Sequence, residues 1–284
     1  MRIPRYWAKG EYTLQGERGK TSTFSCWRWS DTSAEQAQQL ANDKARDIAL
    51  TFQNRQELNR YEYGRNPLRE EVVRSIKNES GSEIGVVTRN LYGALVLNAV
   101  SAMFIDIDFP DKGESASLSG AVSKLLGSKT TTTEQVYVQN IEQWSQRNPQ
   151  WGLRVYRTFG GLRCLITNEV FDPRQARSLD ILSELGSDAL YVRLCQAQES
   201  FRARLTPKPW RCGATTPPSR FPWENTRQEQ NYREWERRYQ RAASNYTVCR
   251  LVKQLGADEM HPDVAPILAA HDEMACAAGS LSLA

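Results

Sequence analysis

Met103-Phe104-Ile105-Asp106-Ile107-Asp108-Phe109-Pro110 is the stretch on which the fold turns. Apolar residues and aspartates alternate with the two-residue period of a strand, and the proline stops it. Toward the C-terminus, 112–133 is rich in Ser, Gly, Lys and Thr and reads as a loop with at most a short helix near 122–126. Residues 134–146 read as a helix with Val136, Ile141 and Trp144 as candidate buried positions. Two strands, 152–158 and 162–167, flank the turn Phe159-Gly160-Gly161. Helices at 176–185 and 191–198 follow, then a strand at 200–205 ended by Thr206-Pro207-Lys208-Pro209. From 103 to 205 the order is strand, helix, strand, strand, helix, strand. That is the ferredoxin-like βαββαβ order, so the expected class is α+β.

Upstream, short strands at 3–8 and 22–29 are joined by a polar connection, and Ser33 offers an N-cap to a helix. Ala37, Leu40, Ala41, Ile48 and Phe52 fall mostly at three- and four-residue steps and form its expected buried stripe. Tyr61-Glu62-Tyr63-Gly64 breaks the pattern, and Pro67 stands as a first-turn proline before a short helix over 68–76. Strands at 84–88 and 94–98 bracket Asn90-Leu91-Tyr92-Gly93. Downstream, 213–223 reads as a linker, 224–255 as a long polar helix and 262–278 as a final helix. The expected organisation is an α/β domain over 1–212 with its core at 84–211, the linker, and a helical C-terminal extension over 224–284.

The bulk numbers narrow the class. Forty per cent hydrophobic and 25% charged residues describe an ordinary globular chain. No run of apolar residues is long enough for a membrane span, and no apolar run follows the basic N-terminus as a secretory signal requires. Six cysteines without a Cys-x-x-Cys pair fit reduced, mostly buried thiols rather than a disulfide frame or zinc site, so the expected location is cytoplasmic. A net charge of +4 does not imply nucleic-acid binding, but its distribution is uneven. Between 201 and 250 there are 11 Lys and Arg against 4 Asp and Glu, interleaved with Trp210, Trp223, Tyr232, Trp235, Tyr239 and Tyr246. Such a segment suits phosphate contact with base stacking, or a docking helix for a protein partner. It equally suits a helix with a solvated charged face whose aromatics pack inward.

Strand alternation assigns the faces. Ile105, Ile107 and Phe109 should face the helices, as should Leu153, Val155, Leu162, Cys164, Ile166, Phe201, Ala203 and Leu205. Phe104, Asp106 and Asp108 then share the open face with Arg154, Tyr156, Arg163, Thr167, Arg202 and Arg204. With the usual spatial order, fourth strand, first, third, second, the aspartate strand lies between the strands carrying Arg163 and Arg202/Arg204. Asp106 and Asp108 could hold Mg²⁺ or Mn²⁺, hard cations that take oxygen ligands. Arg154, Arg163, Arg202, Arg204, Lys208 and Arg211 could then contact the phosphates of a nucleotide or nucleic acid. Alternatively, aspartates and arginines are cross-strand partners in an exposed sheet, and such arginines compete with a metal.

Phe104-Ile105-Asp106-Ile107-Asp108 resembles the first motif of the archaeo-eukaryotic primase and primase-polymerase superfamily, hydrophobic-Asp-hydrophobic-Asp/Glu on a palm strand. Residues 156–166, around Gly160-Gly161, look like the hairpin of that family's second motif. Phe201-Arg202-Ala203-Arg204-Leu205-Thr206-Pro207-Lys208 is similar to its Arg-containing strand. The resemblance spans about 84–211. It implies metal-dependent nucleotidyl transfer with Asp106 and Asp108 as catalytic, metal-binding carboxylates. Arg163 stands near the place of the family's nucleotide-contacting histidine, which is absent, and the third-motif carboxylate has no clear counterpart, with Asp172, Asp180 and Glu199 as unmatched candidates. The aspartate strand also looks like that of diguanylate-cyclase palms, but Leu162-Arg163 stands where their acidic residues follow the glycine pair. A chain that has lost palm carboxylates would instead bind nucleic acid, or act as a protein-interaction scaffold, without catalysis.

Other chemistry is poorly represented. Ser101 and Ser128 lack a Gly-x-Ser-x-Gly context, and there is no Gly-x-x-x-x-Gly-Lys loop. His261 and His271, ten apart with Cys276 beyond, could ligate a metal but read more simply as helix-surface histidines. Cys212, beside Trp210-Arg211, is a reactive thiol only if its neighbours depress its pKa.

Overall fold

The computed structural model describes residues 1–15, 20–54, 67–110, 132–276 and 280–284. It is a mixed α+β architecture with antiparallel sheets and, among the described residues, six α-helices. The breaker at 61–64 and the short helix near 122–126 fall outside the described residues.

The N-terminal part is a hairpin, β1 (Tyr6–Gln15) with β2 (Thr21–Ser30), packed against α1 (Ala34–Gln53). Ser33 caps the helix by accepting from the Gln36 amide. The buried stripe is Ala37, Ala41, Ala45 and Ala49, a strict four-residue step. Leu40 and Phe52, expected inside, are exposed. Small side chains win because the strand backbone approaches so closely: a Cβ on Gly10 would stand 2.1 Å from the Ala41 carbonyl carbon.

Two four-stranded antiparallel sheets follow. One has the order β3 (Glu71–Lys77), β4 (Glu83–Arg89), β5 (Leu95–Ala99), β9 (Phe201–Arg204). The other has the order β11 (Cys249–Gly256), β7 (Gly152–Thr158), β8 (Gly161–Ile166), β6 (Phe104–Asp108). The helix expected at 68–76 is thus strand β3 in its larger part. Val72, Val73 and Ile76 are β-branched, and β4 offers an edge to pair with. The long polar helix expected to reach 255 ends earlier, as α5 (Thr226–Ala243). Beyond it come β10 (Tyr246–Thr247) and β11, the latter adding itself to the free edge of β7. Tyr246-Thr247-Val248 favours strand, and the edge of β7 supplies hydrogen bonds that an isolated helix end lacks. The C-terminal region is therefore not a helical annex. Val248, Cys249, Val264, Ile267, Leu268 and Ala270 belong to the same core as Phe104, Ile105, Ile107 and Leu162.

The helices between strands are α2 (Thr133–Arg147), α3 (Ala176–Glu184) and α4 (Ala189–Gln198). A Thr132/Gln135 capping box opens α2. Ile141 and Trp144 are buried as expected, whereas Val136 is exposed.

Strands β6 and β9 lie side by side but form no ladder. The Tyr191 hydroxyl of α4 stands between them, donating to the Phe104 carbonyl (2.7 Å) and accepting from the Arg202 amide (3.3 Å). One residue pair further on, the Asp106 carbonyl accepts from the Asp188 amide (2.9 Å) and the Ser187 hydroxyl (3.1 Å). The α3–α4 connection thus satisfies backbone groups that a neighbouring strand would otherwise take.

The final helix, α6 (Ala265–Ala275), straddles this seam. Ile267 approaches Gly85 of β4 so closely that a Cβ there would meet its Cδ1 at 2.6 Å. On the other side the His271 ring packs on Phe104 and Tyr156, centroids 5.1 and 4.9 Å apart. This helix covers much of the face expected to be open. Phe104 and Tyr156, assigned to that face, are fully buried.

Candidate functional site

The uncovered end of β6 carries Asp106 and Asp108. Asp106 lies opposite Arg163 of β8, and Asp108 opposite Gly161. A Cβ on Gly161 would stand 1.8 Å from the Ile107 carbonyl oxygen, so the strand pair closes only around glycine here. At Gly160 the nearest side-chain atom to an added Cβ is Oδ1 of Asp108, 3.7 Å away. The glycine pair keeps the turn low beside the carboxylate.

Arg204 at the end of β9, and Lys208 and Arg211 around the short 3₁₀ turn Pro209–Arg211, share this place. Charges of both signs are imperfectly compensated. Asp108, although it reaches solvent, has its carboxyl raised above the usual range, first by partial desolvation and then by repulsion from Asp106 and Asp188. Burial pulls Arg204 down to about 10, and Arg163 and Arg211 push in the same direction. Lys208 is lowered by desolvation and by Arg211 and Arg204, and Arg211 by desolvation. The aspartates act in the opposite sense on all three cations.

Aromatic rings rim the cluster. The Arg211 guanidinium lies 4.0 Å from the centroid of Phe159, at the tip of the β7–β8 turn. Lys208 lies 5.6 Å from the ring of Trp210, which in turn meets Tyr92 edge-on at 5.1 Å. Phe159 and Trp210 are each 50% exposed.

Not every expected residue takes part. Asp106, Asp108, Arg163, Arg204, Lys208 and Arg211 converge. Arg163 is only 3% exposed, however, and its donors face inward. Its Nη1 donates to the Arg204 carbonyl (3.0 Å) and contacts His271 Nε2 (3.2 Å), while Nε lies 3.7 Å from Asp106 Oδ1. Arg202 is elsewhere, buried in the β3–β4–β5–β9 sheet against Glu70 (2.9 and 3.1 Å) and Asn98. Arg154 is turned toward Asp272 of α6, 3.3 Å away.

Asp188 was invisible as a site residue in the sequence. Its Oδ1 caps α4 by accepting from the Tyr191 amide (2.7 Å), and its charge reaches Asp108. The only available signal was Ser187-Asp188 ahead of a helix, which reads as a cap. Cys212 is buried and its thiol is raised by desolvation, the opposite of activation. The aromatics of the basic segment pack inward: Tyr232, Trp235 and Tyr239 of α5 form a buried cluster with Cys212, Glu236 is buried beside them against Arg89, and Arg237, Arg238 and Arg241 are left to solvent. Trp210 is the exception.

His271, expected on a helix surface, is completely buried. Cys249, His271 and Cys276 are the one trio of His, Cys or carboxylate ligands, among the described residues, whose donor atoms all lie within 4.8 Å of one another. No described helix is long and apolar enough to cross a membrane.

Comparison with protein-family models, with curated proteins and with solved structures gives no match. The functional reading therefore rests on the chemistry of the site itself.

Proposed function

We propose that the chain binds a nucleoside phosphate or a nucleic-acid strand at the exposed end of β6, as a divergent primase-polymerase-like palm protein. Asp106 and Asp108 would hold Mg²⁺ or Mn²⁺. The observation that carries this reading is the juxtaposition of partly desolvated, only partly compensated charges of both signs. The Asp108 carboxyl is raised by partial desolvation and then by Asp106 and Asp188, and Arg204, Lys208 and Arg211 are each lowered first by burial. A divalent cation bound with a phosphate relieves both stresses at once. The donors are hard oxygens, suited to these ions, and Asp188 adds a third carboxylate nearby.

Arg204, Lys208 and Arg211 neutralise phosphate charge in this reading, and the exposed rings of Phe159 and Trp210 offer a face to a base. The bound metal supplies polarisation of a phosphoryl oxygen. The antiparallel run β7–β8–β6, with β9 alongside, supports a ferredoxin-like palm core, although Tyr191 replaces the β6–β9 ladder. A second reading, binding without catalysis, draws support from Asp188, whose Oδ1 is engaged as a helix cap.

The deciding experiment is thermal unfolding of the purified protein with a nucleoside triphosphate, with and without Mn²⁺. The palm reading expects a Mn²⁺-dependent rise in Tm that disappears in Asp106→Ala. No shift under any combination would remove it. A shift that persists in the variant, or that needs no metal, favours metal-independent binding.

A further inference from the structure

We infer that Cys249, His271 and Cys276 form a zinc-binding site, separate from the Mg²⁺/Mn²⁺ site proposed at β6. The three residues come from the start of β11 and the end of α6, and the backbone fixes these segments together. The Val248 amide donates to the Ala275 carbonyl (3.1 Å), and the Thr247 hydroxyl donates to the same oxygen (3.0 Å). The thiols of Cys249 and Cys276 are 3.2 Å apart, and Cys249 Sγ is 3.9 Å from His271 Nε2. Tetrahedral zinc with its usual bond lengths sets two sulfurs about 3.8 Å apart and a sulfur and a nitrogen about 3.6 Å apart. The sulfurs must open by roughly half an ångström to reach that spacing. Cys276, the C-cap residue of α6, is only partly buried and can give.

The surroundings are those of a histidine ligand. Nδ1 of His271 lies 2.9 Å from Asp272 Oδ1, which leaves Nε2 with the lone pair on the side facing the thiols. Asp272 is itself held by the Tyr156 hydroxyl (2.8 Å) and by Arg154 (3.3 Å). Such a carboxylate behind the imidazole fixes ring orientation and raises ligand basicity. Soft sulfur donors with one imidazole select zinc over the hard cations that suit β6.

Two features bear on charge. Arg163 Nη1 faces His271 Nε2 at 3.2 Å and must release it when the metal enters, keeping its bond to the Arg204 carbonyl. A dication with two thiolates is neutral overall, so it does not oppose the guanidinium. Cys249 and Cys276 share a hydrogen bond in the metal-free protein, and the proton between them leaves when the metal takes both sulfurs. With three protein ligands, the fourth position is left to water.

The test is titration of reduced, metal-free protein with Co²⁺, reading the thiolate-to-cobalt charge-transfer band and the tetrahedral ligand-field bands. One equivalent should develop both, Zn²⁺ should bleach them, and Cys249→Ser and Cys276→Ser should each lose charge-transfer intensity while Cys26→Ser keeps it. Because Cys249 lies in the core and its replacement perturbs packing, alkylation of the wild-type protein provides a second readout. One equivalent of Zn²⁺ should protect Cys249 and Cys276, mapped by mass spectrometry. Absence of the bands in wild-type protein, their persistence in the double Cys249→Ser/Cys276→Ser variant, or equal alkylation with and without Zn²⁺ would each overturn the site. Recovery of Cys249 and Cys276 as a disulfide that forms equally fast with Zn²⁺ present would also overturn it, and would make the pair a redox couple.

Discussion

Arg163 and Asp106 face each other across β8 and β6 with Nε 3.7 Å from Oδ1, too far for a hydrogen bond, while Arg163 Nη1 is engaged with His271 and the Arg204 carbonyl. Asp106 is 35% exposed and Arg163 nearly sealed, so the pair is lopsided. The arginine serves the interior, and the aspartate remains available to solvent and to a cation. Its Nε is one of the few buried side-chain donors without a hydrogen-bond partner among the described residues. This arrangement sets a sealed charge beside an accessible one within one cluster.

Truncation should expose that division. Arg163→Ala removes the partner of a buried imidazole and a buried carbonyl, and should cost about 2–4 kcal/mol of unfolding free energy. Lys208→Ala removes a partly exposed cation and should cost less than about 1 kcal/mol. Polyphosphate affinity should fall in Lys208→Ala, with a shallower salt dependence. Urea unfolding paired with binding at two salt concentrations checks both halves; equal stability losses would contradict the division.

The pH dependence at Asp108 has a definite sign. Its folded-state pKa is raised, so the folded protein holds this proton more tightly than the unfolded chain does. The stabilising contribution is present below the ordinary aspartate pKa and is lost as pH rises through the folded value. At neutral pH, without metal, Asp108→Asn should therefore be slightly more stable than wild type, by less than about 1 kcal/mol because the group reaches solvent. The advantage should vanish under acid conditions and reverse with saturating Mn²⁺. Tm against pH for both proteins, with and without the ion, measures this directly.

What was legible beforehand follows from how local each signal is. Strands β6, β7 and β8 could be read from alternation and the Gly160-Gly161 turn, and the pleat placed Asp106, Asp108, Arg163 and Arg204 on one face; Lys208 and Arg211 lie beyond the last strand, where alternation says nothing. The departures have non-local causes. Phe104 and Tyr156 alternate as open-face residues, but α6, more than a hundred residues away in sequence, packs on them. Arg202 points out of its strand as alternation demands, and meets Glu70 across the second sheet rather than solvent. Strand β11 exists because β7 has an edge to fill, a fact carried by no residue of 249–256 alone. Asp188 looks like any helix cap until β6 is placed beside it. Cys249 and His271 are 22 positions apart, a spacing no short ligand motif announces.

The Glu70–Arg202 pair offers a control outside the proposed site. Both residues are buried, and Arg202 also reaches Asn98, whose amide donates to Thr88. Glu70→Gln leaves the guanidinium charge uncompensated and should destabilise by about 3–5 kcal/mol. The double variant Glu70→Gln/Arg202→Met should recover part of that loss. Nucleotide affinity per folded molecule should not change, since neither side chain belongs to the β6 cluster. Calorimetric titration of the double variant reads this, and a selective loss of affinity would return Arg202 to the list of phosphate ligands.

The exposed rings give the sharpest way to separate a phosphate site from a nucleic-acid site. Phe159 is held beneath Arg211 at the turn, and Trp210 stands between Lys208 and Tyr92. If bases stack there, Phe159→Ala and Trp210→Ala should each weaken binding of a single-stranded oligonucleotide by roughly 1–3 kcal/mol. Binding of inorganic tripolyphosphate should change much less, because it contacts only the cations. Arg211→Ala should reduce both, since it removes a charge and the cover of the Phe159 ring. Fluorescence anisotropy with a labelled oligonucleotide, competed by tripolyphosphate, distinguishes the cases. Parallel losses for both ligands in the Phe159 and Trp210 variants would mean that the rings only pack against their cations, and that the site recognises phosphate without the base.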